Sequence, residues 1–185
     1  MKTVFLLLLA IILTNQSAFP QYSITSSRVI DTNVVGISLL SSDGLNKLGN
    51  ISFQNGEGLK YVQFSSKGKD ELLILTVLPE THQVISYCFY FFETTKADSQ
   101  RIQMSTFNRF TTGKGISLGI TQNQLELRLG KLQKVYHDGR ITQCEYRLKS
   151  KQSRFLTTHH AKEYLASYKF IGNKLIEVNV QLFLE

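Results

Sequence analysis

Two stretches of this chain follow one grammar: GISLLSSDGLNKLGNISF at 36–53 and GISLGITQNQLELRLGKLQKVYHDGRI at 115–141. Each opens on Gly-Ile-Ser-Leu, runs through a short leucine-bearing segment and ends it at Leu-Gly. Runs of alternating apolar residues follow. A glycine just past the last apolar position is a helix stop, and alternation at period two is a strand signal. Gly36 matches Gly115 at an offset of 79, and Gly49 matches Gly130 at an offset of 81. A period near 80 is too long for a solenoid, whose repeats run to about 20–50 residues. The match reads either as a tandem repeat or as chance recurrence of two common dipeptides. The tandem reading predicts an α+β fold, one compact body of two related units over 22–100 and 101–185. Each unit is then a short helix packed on an antiparallel β-meander.

Finer patterning fills in those units. Ser41-Ser42-Asp43 is placed to cap a short helix ending near Leu48-Gly49, and Thr121 to cap one running through Leu129 to Gly130. Strands are expected at Lys60–Ser65, Glu71–Leu78, Gln83–Glu93, Arg101–Thr111, Leu132–Tyr136, Ile141–Lys149, Tyr164–Ile171 and Lys174–Leu184, with an edge strand within Tyr22–Val35. Asp138-Gly139 and Gly172-Asn173 are hairpin turns. Ser150 to Lys162 is polar and reads as a long loop. Along Gln83–Glu93 both faces are largely apolar, Tyr87, Phe89 and Phe91 on one and Cys88, Tyr90 and Phe92 on the other. That pattern predicts a central strand covered on both sides.

The first 18 residues have the order of a secretory signal peptide: Lys2, an apolar run from Val4 to Leu13, then polar residues up to Ala18. Ten apolar residues fall short of the roughly 20 that a spanning helix needs. No cysteine near Ala18 is available for lipid attachment. The mature chain is expected in the periplasm or outside the cell, with no transmembrane segment. About 165 residues then remain, enough for one domain to bury around 70% of its unfolded surface. The two cysteines, Cys88 and Cys144, either bridge or lie buried separately. A bridge would close a loop worth about 4 kcal/mol in chain entropy.

The segment LGITQNQLELRLGKLQKVYHDGRITQCEY resembles the G-x-T-x-x-x-L-x-x-x-L-G-x-P pattern of the SmpA/OmlA lipoproteins of outer-membrane assembly. It resembles equally the tandem units of the secreted β-lactamase-inhibitor-protein family. Gly119, Thr121, Leu125, Leu129, Gly130 and Tyr146 carry the match. The proline of that pattern is missing, Leu132 standing near its place, and the usual tryptophan is absent from a chain with no Trp. The resemblance implies a helix-on-sheet unit, and two units behind a signal peptide imply an inhibitor-like module.

Charge is uneven. Residues 101–185 carry 14 Lys and Arg against 6 Asp and Glu, a net +8, so the basic excess belongs to the second half. Arg147, Lys149 and Lys151 alternate at period two, with Arg154 just beyond. This strip either meets an anionic surface or is a solvated face that guards a sheet edge. His159-His160 with Glu163 is the one metal-like cluster, and it lacks a third ligand; a solvated loop is the plainer reading. No nucleophile elbow, phosphate loop or dinucleotide fingerprint occurs. No cofactor, metal or nucleic-acid partner is therefore expected. The residues predict an exported, non-enzymatic protein-interaction or inhibitor-like module. The alternative is a binder of anionic envelope material, lipid headgroups or acidic glycan, through the second half.

Overall fold

The computed structural model describes residues 29–49, 51–92 and 102–184. The signal segment, the first part of the Tyr22–Val35 strand reading and the junction between the two expected units lie outside them. In chain order the strands are β1 (Asn33–Val34), β2 (Ile37–Ser38), β3 (Gln54–Asn55), β4 (Lys60–Ser65), β5 (Glu71–Val77), β6 (Val84–Phe91) and β7 (Gln103–Met104). They continue with β8 (Lys134–Asp138), β9 (Ile141–Lys149), β10 (Ala161–Ile171) and β11 (Lys174–Leu184). Two helices stand among them, α1 (Gln122–Leu129) and α2 (Arg154–Thr158), with 3-10 turns at Leu45–Leu48 and Ser150–Gln152.

This is a mostly β protein, which corrects the α+β expectation. Strands take 47% of the described residues and helical turns 14%. Nine strands form a single sheet of order β3-β4-β5-β6-β11-β10-β9-β8, with β7 parallel to β4. The other neighbours are all antiparallel. The helix content falls short because the segment before Gly49 holds only a four-residue 3-10 turn, entered through a left-handed Gly44 with no side-chain cap. Of the two Leu-Gly segments, the one before Gly130 forms a capped helix, where Thr121 Oγ1 accepts from Gln124 N–H and Gln124 Oε1 accepts from Thr121 N–H.

Among the described residues, the sheet has one covered face. On it, Phe64, Leu73, Leu75, Tyr87, Phe89, Val178, Val180, Tyr164 and Tyr168 are all fully buried. The covering layer is the chain from Val29 to Leu48, the segment from Ser105 to Ile120, and the two helices, all packed into one core. Tyr87 Oη donates to the Asp31 carbonyl, and Asp31 N–H donates to Tyr164 Oη, which fastens the layer's first residues to β6 and β10. Tyr146 Oη, on β9, donates to the Gly130 carbonyl and fastens the end of α1.

Two further expectations change. β6 is central, but Ser86, Cys88 and Tyr90 on its second face are only half-buried, so it is covered on one side. The predicted strand over 101–111 contracts to Gln103–Met104, because Phe110 N–H donates to the buried Glu71 carboxylate at 2.7 Å instead of joining a ladder. Likewise Ser150–Lys162 is not a loop. Ser153 caps α2 and Leu156 is fully buried, so one apolar anchor in a polar stretch is enough to fold it.

Candidate interaction surface

Register fixes which side chains share the uncovered face, since alternate residues along a strand point the same way. Tyr61, Ile74, Cys88, Asn179, Ser167 and Glu145 lie on it, as do Tyr90, Glu177, Lys169 and Gln143. Toward the β8 edge the face becomes apolar. Ile141 pairs directly with Ile171, and Tyr136 sits one strand over, across from Gln143. Phe183 pairs with Glu163 near the other end of β10. These four remain 37%, 44%, 47% and 38% exposed in that order, enough apolar surface on one face to mark it out.

Four of the charges on this face are paired. Arg147 Nε reaches Glu163 Oε1 at 3.2 Å, and Lys169 Nζ reaches Glu177 Oε1 at 2.8 Å. The predicted basic strip is therefore divided. Arg147 and Lys149 share the open face of β9, Lys151 lies in the 3-10 turn, and Arg154 opens α2. β8 accompanies β9 only from Ile141 to Glu145, so Arg147 and Lys149 lie where β9 itself forms the sheet's edge, their N–H groups donating to the Gln133 and Gln152 side chains. In the metal-like cluster His159 packs against Phe155 with ring centroids 4.7 Å apart and tilted, and Glu163 is held by Arg147. Among the described residues no group of three His, Cys, Asp or Glu is placed to hold a metal.

Of the two readings of the cysteine pair, separate thiols hold. Cys88 lies on the open face of β6 and Cys144 on the covered face of β9, with β11 and β10 between them. Three strand spacings come to roughly 14 Å, beyond disulfide reach. Burial pushes the Cys88 thiol up to about 12, with Glu177 adding to it, and burial pushes Cys144 up to about 11. Both are neutral thiols at ordinary pH and poor nucleophiles.

Sequence reasoning did not find two buried carboxyls. Glu71 is fully buried, its Oε1 taken by Arg109 Nε at 3.0 Å and its Oε2 by Phe110 N–H. Arg109 also donates to the Leu118 carbonyl, so one clasp ties β5 to the covering layer. Asp31 is buried too, and burial raises its carboxyl above the ordinary value against hydrogen bonds from Thr112 and Lys114 N–H. Its only sequence signal is a lone acid inside the apolar run Val29-Ile30-Asp31. A shallow groove beside α1 is lined by Asn123, Glu126, Leu127, Gly130 and Lys131. Among the described residues no helix is long and apolar enough to cross a membrane. No known protein family, curated protein or solved structure matches this chain.

Proposed function

We propose that the chain is an exported, non-enzymatic interaction module of inhibitor-like kind, which presents the open face of its sheet to a partner protein. The observation that supports this is the open face itself. Tyr136, Ile141, Ile171 and Phe183 stay exposed there, while the neighbouring charges are paired off as Arg147–Glu163 and Lys169–Glu177. Exposed aromatic and aliphatic anchors are what the centre of a protein interface requires. The resemblance of residues 118–146 to secreted inhibitor units points the same way. Binding of anionic envelope material by Arg147, Lys149, Lys151 and Arg154 has less support, because Arg147 is engaged and the four charges spread over a strand, a turn and a helix.

A photo-crosslinking side chain tests the proposal in the producing cell. Placed at Ile141 or Phe183, it should yield one discrete partner adduct. Placed at Leu127, more accessible still but on α1, it should yield none. Adducts of the same pattern from all three positions would remove the open face as the docking surface.

A further inference from the structure

The sheet's two ends differ in what they leave open. At one end β4 is flanked by β3 and β7. At the other, β8 is the last strand, all five of its residues are exposed, and among the described residues only β9 pairs with it. Asp138 pairs with Ile141 across the two-residue turn Gly139-Arg140. A pair flanking such a turn exchanges both backbone hydrogen bonds, and bonded and non-bonded pairs then alternate along the ladder. Lys134, Tyr136 and Asp138 thus direct their backbone groups to β9. Val135 and His137 direct theirs outward, away from the sheet.

An exposed edge is a template for another strand, and the five residues Lys-Val-Tyr-His-Asp specify which. Laid antiparallel on itself about Tyr136, the strand sets Val135 opposite His137, so the outward N–H and C=O groups of each copy meet those of the other. The same register sets Lys134 opposite Asp138 on both sides of the axis. Centring the pairing on Val135 or His137 instead loses both charge matches. We infer that β8 pairs with β8 of a second copy, joining two sheets edge to edge about a two-fold axis at Tyr136. The two tyrosines then face each other in a non-hydrogen-bonded pair, where side chains come closest. Tyr136 and the Ile141–Ile171 pair are on the open face, so the two open faces become one continuous surface. A lone lysine on an edge strand keeps other strands away; here Asp138 supplies the matching charge that readmits one partner, a copy of the same strand.

Sedimentation velocity of the purified chain over a concentration series reads the association. Wild type should show a concentration-dependent dimer. Lys134→Asp and Asp138→Lys each place like charges opposite twice per dimer and should weaken it by about tenfold or more. An equimolar mixture of the two single variants restores every opposite-charge pair and should recover dimer, now as a heterodimer; Lys134→Asp with Asp138→Lys in one chain should recover it as well. Val135→Pro removes an outward N–H that the β8–β9 ladder does not use, and should abolish the dimer with the circular dichroism spectrum unchanged. A chain that stays monomeric at all concentrations overturns the inference. So does a dimer indifferent to Lys134→Asp, or single variants that fail to recover when mixed, a readout that general loss of stability cannot imitate.

Discussion

Leu48-Gly49 and Leu129-Gly130 end their segments alike, and the segments differ at their starts. Both leucines are fully buried. Both glycines combine a positive φ with an extended ψ, 118° and −157° at Gly49, 92° and −178° at Gly130. That region is open essentially to glycine alone. A glycine that stops a helix commonly takes the left-handed helical conformation; at Gly130 φ agrees with that and ψ does not. Upstream, Thr121 and Gln124 close a capping box and eight helical residues follow. Gly44 offers no side chain, and only a four-residue 3-10 turn forms. The stop signal is shared and the start signal decides the length. The first half then secures its covering layer with polar clasps where the second uses a helix.

The largest expected effect lies in those clasps. Glu71→Ala leaves Phe110 N–H buried without an acceptor and frees Arg109, whose side chain is already 55% exposed and can turn to water. Loss of one buried acceptor and a charge-assisted bond predicts about 3 kcal/mol of destabilisation in urea unfolding. A cost under about 1 kcal/mol would mean that the first half is not held by its clasp.

Glycine replacement tests the shared end. Gly49→Ala and Gly130→Ala should each cost about 2 kcal/mol, since both force a methyl-bearing residue into the same unfavourable region. At Gly49 an added Cβ would meet only the Met104 carbonyl at 3.7 Å, an ordinary contact, so the cost is conformational. Unequal shifts in the unfolding midpoint would break the equivalence. The unshared start predicts the smallest effect. Thr121→Ala removes the cap of α1 and should cost about 1 kcal/mol. Ser41→Ala, at the corresponding place upstream, loses only the acceptor for Asp43 N–H and should fall within about 0.5 kcal/mol.

Local signals in the sequence were enough for β4, β9 and β11, which run as read, and for the turns at Gly139 and Gly172-Asn173. Alternation and turn chemistry act within a few residues, and a single sequence displays them. Whether the 36–49 segment would be helical depended on a cap that is not there. Arg101–Thr111 has strand-like residues, yet its Phe110 N–H goes to a carboxylate 39 positions away. The open face was illegible for a related reason. Tyr136, Ile141 and Ile171 become neighbours, and Phe183 comes to share their face, only through ladder register, which no short window contains.

The seam between β6 and β11 sets an order of events. Phe89 and Val178 face each other across it, 89 positions apart in the chain. β11, made after the other strands of this sheet, lies at its centre, between two strands made before it. Until it arrives, β4 to β6 can form a meander, but β6 keeps a raw flank with Tyr87 and Phe89 beside it. Such distant pairing makes folding slow, and a half-made chain carries an adhesive strand through the whole synthesis of the second half. Completion of the sheet therefore waits on the β10–β11 hairpin, and the nascent chain's exposure to aggregation lasts until that hairpin is made.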